Sequence, residues 1–206
     1  MLEFLHAVLS LPGSEVVALI VMIAVGVLIG AYTLITGVPP MPTSRHVVPV
    51  LLDWISEGGR PRLAYDLGCG WGRIAFALAS QFPETKVVGI ELSPVPWLFC
   101  RLRLLVQRRP NLEIRRGDFL KMPLGDADLV FCYLMIKAMR RLQMKLDTEA
   151  APGAIVISNS FAFPDWRPQR VEIVSMGMST WLYLYRVPTD GLFREERETE
   201  PPERIT

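Results

Sequence analysis

The sequence predicts an α/β domain, a mainly parallel sheet with helices on both faces, preceded by one apolar helix of membrane-spanning length. Three observations lead there. Short β-rich runs alternate with helical runs from residue 62 onward, the 29 residues 16–44 carry no charge, and a glycine-rich turn joins the first β run to the next helix. Alternation of this kind calls for right-handed βαβ units. Composition agrees: of 206 residues, 50% are hydrophobic and 21% charged, and the mean hydropathy is +0.29. A water-facing domain of this size is more polar, so some apolar sequence needs another home. The same balance excludes a disordered chain, a collagen-like chain and a disulfide-rich secreted scaffold.

Taken in order, residues 1–15 form a short N-terminal segment with Glu3 and Glu15 and no Lys or Arg. Residues 16–38, Val16 to Val38, rise about 1.5 Å each as a helix and can cross a hydrocarbon core of about 30 Å. A cleaved signal peptide would show a basic start, a shorter apolar core and an A-x-A-like site, and none is present. Arg45, Arg60 and Arg62 follow the span. The positive-inside rule therefore places the N-terminus outside and the rest in the cytoplasm, as a single-pass membrane protein. Gly26 and Gly30 make a GxxxG spacing that lets two such helices approach, a route to a homodimer. Pro39, Pro40 and Pro42 end the helix.

Residues 39–189 make the expected domain. It opens with that linker and an amphipathic helix from His46 to Ile55, apolar at Val47, Val50, Leu51, Trp54 and Ile55. Strands are expected at Arg62–Asp66, Lys86–Glu91, Leu112–Arg116, Ala127–Tyr133 and Ala154–Ser158, and helices at Arg73–Gln81, Val95–Arg108 and Lys137–Ala150. Arg170–Ser175 and Thr180–Val187, joined by Met176-Gly177-Met178, can pair only antiparallel. Residues 190–206 hold six acidic residues, three basic residues and two prolines, and are expected to be disordered. Cys69, Cys100 and Cys132 have neither metal-ligand spacing nor an even count, and read as reduced thiols with no metal site.

The chemistry gathers at the carboxyl ends of the strands, where open α/β sheets bind ligands. The first strand ends in Asp66-Leu67-Gly68-Cys69-Gly70-Trp71-Gly72, and the second ends at Glu91, 23 residues after Gly68. Glycines two apart permit a tight turn and bare backbone against a ligand. An acid at the end of the second strand can accept both hydroxyls of a ribose. A nicotinamide enzyme is the competing reading, but its fingerprint is G-x-G-x-x-G; here the third glycine comes one residue early, and Asp66 would set negative charge beside a diphosphate.

These residues resemble motif I of class I S-adenosylmethionine-dependent methyltransferases, [DE]-x-G-x-G-x-G. The resemblance implies a Rossmann-like seven-stranded fold of order 3-2-1-4-5-7-6 and S-adenosyl-L-methionine as cofactor. Asp66, Gly68 and Gly70 would contact the amino-acid part of that cofactor, Glu91 the ribose and Asp118 the adenine amino group, with Cys69, Gly72, Leu92 and Phe119 completing the set. Val38-Pro39-Pro40-Met41-Pro42-Thr43-Ser44, DLGCGWGRI from Asp66 to Ile74, ELSP from Glu91 to Pro94 and SFAFPDWRP from Ser160 to Pro168 narrow the likeness. Together they resemble the small membrane-anchored protein-lysine methyltransferases acting on ATP synthase subunit c and the adenine nucleotide translocase, and their prokaryotic relatives. Trp71 is a departure, standing where such enzymes often carry an acid or a small polar residue.

A lysine acceptor must shed its proton, and an apolar, aromatic mouth does much of that by desolvation. Tyr133 ends the fourth strand, and Asn159, Phe161 and Trp166 follow the fifth. These four are the expected acceptor-side residues, although an FAFP run serves core packing equally well. Phe131-Cys132-Tyr133-Leu134 stands where methyltransferases of amide or exocyclic nitrogens carry [ND]-P-P-[YF]. Residues 97–116 hold six arginines and one glutamate, yet the net charge is only +1, a poor match to nucleic acid and a better one to anionic lipid. The function expected is methylation of a lysine in a membrane protein. A lipid or quinone head-group methyltransferase and a non-catalytic nucleoside-binding scaffold are the alternatives.

Overall fold

The computed structural model describes residues 13–36, 42–175 and 180–188. Two compact units, Met1–Pro40 and Met41–Thr206, divide the chain. Among the described residues the first contains one helix, α1 (Gly13–Thr36), long and apolar enough to cross a membrane, with no part of it buried against protein. Gly26 and Gly30 open onto empty space.

The second unit runs α2 (Val47–Gly58), β1 (Leu63–Leu67), α3 (Arg73–Gln81), β2 (Lys86–Glu91), α4 (Pro94–Val106), β3 (Leu112–Arg116), a 3-10 turn Phe119–Lys121, β4 (Leu129–Cys132), α5 (Ile136–Glu149), β5 (Ile155–Asn159), β6 (Arg170–Ser175) and β7 (Thr180–Arg186). The seven strands form one sheet of order β3-β2-β1-β4-β5-β7-β6. The first five pair in parallel, while β7 is antiparallel to both β5 and β6. The expected elements are present with ends shifted by up to three residues. The turn at 176–178, the prolines at 39 and 40 and the acidic tail lie outside the described residues.

Strict alternation along the strands sorts the core into two layers. On one face Ala64, Val87, Leu129, Phe131, Ile155 and Ile157 pack with Val47, Leu51, Trp54 and Ile55 of α2 and with Ile74, Ala75 and Leu78 of α3. On the other, Leu67, Val88, Ile90, Val130 and Val156 pack with Met139, Leu142 and Leu146 of α5. Full burial of each of these α5 side chains contributes about 1.5–3 kcal/mol. The same alternation sends the polar residues at the carboxyl ends of the strands, Asp66, Glu91 and Asn159, to the α2/α3/α4 face. All three are buried.

No helix forms between β5 and β6, and residues 160–169 cover that part of the second face instead. Phe163 and Trp166 are 2% and 6% exposed, lie 4.7 Å apart between ring centroids, and meet Tyr185 of β7 edge to face at 5.2 and 5.7 Å. The Trp166 indole donates to Asp147 Oδ1 of α5 at 2.9 Å, and the Phe163 amide donates to the Tyr185 hydroxyl at 3.0 Å.

Candidate active site

The turn after β1 is tied down before any ligand arrives. The Gly68 and Cys69 amides both donate to the Ile90 carbonyl (2.9 and 3.0 Å), and the Gly72 amide donates to the Cys69 carbonyl (2.8 Å). Gly70 is held twice: its N–H donates to Glu91 Oε2 at 2.8 Å, and its carbonyl accepts from Cys100 Sγ at 3.2 Å. The other oxygen of Glu91 accepts the Ser93 amide at 2.7 Å, so one carboxylate bridges the glycine turn to the start of α4. Gly68, Gly70 and Gly72 have φ of 69°, 52° and 76°, a left-handed run that favours glycine.

Asp66 is 3% exposed, and its Oδ2 accepts the Ala75 amide in the first turn of α3 at 2.9 Å. It takes the place of a side-chain cap, which the N-cap Gly72 cannot supply. Burial, partly offset by that amide and reinforced by Glu91, pushes the Asp66 pKa up to about 7. This geometry disposes of the diphosphate reading. Four amides of the turn are already donating, and a carboxylate already sits at the helix N-terminus where a phosphate would bind.

A cavity of about 330 Å³ opens above Asp66, lined by Pro42, Thr43, Gly68, Cys69, Trp71, Arg73, Ile74, Phe99, Arg103, Phe131 and Tyr133. That is the scale of a small-molecule cleft. Trp71 and Phe99 meet edge to face at 5.3 Å on its wall. Arg103 lies 4.0 Å over the Phe76 ring and donates to Gln107 Oε1 at 3.0 Å. Burial lowers its pKa, and the neighbouring Arg73 and Arg109 charges lower it further. Arg73 and Arg103 thus add two cations to a cavity that Asp66 also lines.

Of the residues expected from sequence, Asp66, Gly68, Cys69 and Tyr133 line this cavity. Gly70 adjoins it, and a Cβ there would meet nothing nearer than the Gly68 carbonyl at 3.9 Å, leaving bare backbone open to a ligand. Glu91 ends β2 beside the same turn with Leu92 just after it, and Asn159 ends β5 on the same face of the sheet. Asp118 and Phe119 stand past β3, where Asp118 Oδ1 accepts the Leu120 amide at 3.0 Å and caps the 3-10 turn. Gly72 faces inward instead: a Cβ there would come within 2.8 Å of Cys100 Sγ, so its glycine is required by packing against α4. Phe161 and Trp166 belong to the opposite layer, with α5, because the chain after β5 folds over the second face. The four expected acceptor-side residues therefore divide between the two layers, and Trp71 and Phe99 line the cavity together with Tyr133. Sequence reasoning missed Arg73, Phe99 and Arg103. The i, i+4 spacing of Phe99 and Arg103 was the available signal, since it sets both on one side of α4.

An α/β sheet of this order, with a glycine turn and two strand-end acids around a small cleft, defines a class I S-adenosylmethionine-dependent methyltransferase. The chain belongs to the family of the ANTKMT methyltransferase domain, whose pattern matches residues 66–170. It is 32% identical over 158 residues to a protein-lysine N-methyltransferase of Saccharolobus islandicus, covering 72% of this chain and 92% of that one. It is 36% identical over 150 residues to the adenine nucleotide translocase lysine N-methyltransferase of Mus musculus, covering 71% of this chain and 62% of the mouse protein. Among solved structures it resembles an RNA methyltransferase from Salinibacter ruber in complex with S-adenosyl-L-homocysteine. That likeness has a TM-score of 0.64 and 27% identity, over 81% of this chain and 99% of that one.

The residues present fit the cofactor. An amino-acid zwitterion needs a carboxylate for its ammonium and a guanidinium for its carboxylate, and Asp66, Arg73 and Arg103 line one cavity together with the bare backbone of Gly68.

Proposed function

We propose that the protein is a protein-lysine N-methyltransferase that acts on a membrane protein, with α1 as its membrane anchor. The observation that carries the proposal is the cavity, which combines an acid floor, two arginines and an aromatic wall of Trp71, Phe99 and Tyr133. The lysine methyltransferases among its relatives support the choice of acceptor.

S-adenosylmethionine, when bound, supplies a methyl group already activated on a sulfonium, so the protein needs no nucleophile of its own. In this reading Asp66 holds the ammonium and Arg73 and Arg103 hold the carboxylate. Glu91 keeps the glycine turn in place and retains lone pairs for a ribose hydroxyl. Trp71, Phe99 and Tyr133 wrap the acceptor's aliphatic chain and exclude water. Exclusion of water favours the neutral amine, the form that can attack the methyl group.

The test is to incubate the full-length protein with its native membranes and methyl-labelled cofactor, then hydrolyse protein, lipid and RNA fractions separately. The expected result is label in methyl-lysine. Label confined to lipid or to RNA, or cofactor binding without transfer, would overturn the proposal.

A further inference from the structure

We propose that the outward face of α4 is a docking surface for an anionic lipid bilayer. This rests on α1 lying in a membrane, and is independent of which group accepts the methyl.

A surface helix ordinarily turns its polar face to water. Helix α4 does the reverse: Leu98, Leu102, Leu105 and Val106 are 50%, 54%, 73% and 85% exposed, while Cys100 and Pro96 are buried beneath them. At about 100° per residue, Leu98, Leu102 and Leu105 fall within about 60° of one another, with Arg101 along one flank and Val106 along the other. Arg108 follows at the helix end and is also exposed. Between Ser93 and Gly117 the one acid is Glu113, and it is already paired with Arg115 at 2.7 Å. The face is apolar at its centre, cationic at its margin and has no acid. That is the pattern of an interfacial helix, whose apolar side chains enter the acyl boundary while its arginines reach the headgroups.

A second copy of the chain is a poorer occupant, because a two-fold contact would set this arginine margin against itself. Chain length favours the bilayer. Only residues 37–41 separate Thr36 of α1 from Pro42, and six steps of chain extend at most about 21 Å. Pro42 lines the same cavity as Phe99 and Arg103 of α4. With α1 in a bilayer, a linker this short keeps the domain near the membrane, and docking of α4 would set which side it turns there. Docking would then present the cavity wall at headgroup level.

The experiment uses the full-length protein in lipid nanodiscs, with a bimane probe on Leu105→Cys. Cys69, Cys100 and Cys132 are all buried, so labelling goes to the new thiol. A probe on Met144→Cys, 58% exposed on α5 and on the other face of the sheet, is the control. Calorimetric cofactor binding certifies that each variant is folded. In phosphatidylcholine–phosphatidylglycerol discs carrying doxyl lipid, we expect the Leu105 probe to be quenched about twofold or more beyond the Met144 probe. The quenching should fall in pure phosphatidylcholine discs, and in the double variant Arg101→Glu, Arg108→Glu. Equal quenching at the two positions, or no response to lipid charge and to the arginine reversals, overturns the docking surface while leaving the anchor intact. A blue shift that grows with protein concentration in lipid-free micelles assigns the face to a second copy and overturns it too. Failure of the full-length chain to enter the discs at all overturns the anchor and the docking together.

Discussion

Asp66 carries a structural duty and, in the proposed function, a second one toward the cofactor, and its protonation links them. An acid whose native pKa lies above its unfolded value weakens the fold as pH rises. Between pH about 4 and about 7 the unfolded chain has released a proton that the native state still holds. With the Asp66 pKa near 7, the ligand-free protein therefore loses stability across that window and levels off above it. A ligand ammonium favours the carboxylate, so binding below pH 7 must expel the proton. Affinity for S-adenosylhomocysteine is expected to fall up to about tenfold per pH unit below 7, and Asp66→Asn to bind weakly with no such slope. Calorimetry from pH about 5.5 to 8, in buffers of different ionisation enthalpy, measures both the slope and the proton. Glu91 differs in kind, since its two oxygens restrain two loops. Glu91→Ala removes two charge-assisted hydrogen bonds of about 1.5–3 kcal/mol each. It should lower the melting temperature as well as the cofactor affinity, whereas Glu91→Gln should keep part of both.

At the scale of elements, the segment from Ser160 to Pro168 decides between two readings that its composition leaves equal. Phe163 and Trp166 do the work of a missing helix, so Phe163→Ala should cost about 3–5 kcal/mol in denaturant unfolding while cofactor affinity at low temperature stays near wild type. Phe99→Ala should do the opposite, with little loss of stability and a marked rise in KM for the acceptor. An equal loss of affinity in both variants would contradict the assignment of the two layers. The strands and helices were legible because each has its own period and its own glycine or proline boundary, as at Gly72 and Pro94. The strand-end acids were legible because they follow from the strands. What could not be read was which layer a residue after a strand would join. Tyr133 and Trp166 are both aromatic and both near strand ends, and only the path of the chain after β5 separates them. Arg73 and Arg103, 30 residues apart in sequence, line one cavity because α4 sets Arg103 over Phe76 of α3.

For the whole molecule, the proposed anchor would fix where the domain works. Confinement near a bilayer raises the effective concentration of acceptors that also reside there. Deleting residues 1–36 should leave methylation of a short soluble lysine peptide near wild type and lower methylation of native membranes at least about tenfold. Equal rates on membranes would show that the helix does not select the acceptor. Where the deletion stops matters as much as that it is made. Pro42 and Thr43 belong to no helix or strand, and the first core residue is Val47, yet both line the cavity. The edge of the catalytic unit is thus not the edge of its hydrophobic core. A protein begun at Val47 would fold with its cofactor seat open to solvent on one side and bind more weakly than one begun at Gly37. Pro42 follows directly on the linker of residues 37–41, so a change in the length of that linker is expected to act on a wall of the proposed cofactor site as well as on the tether.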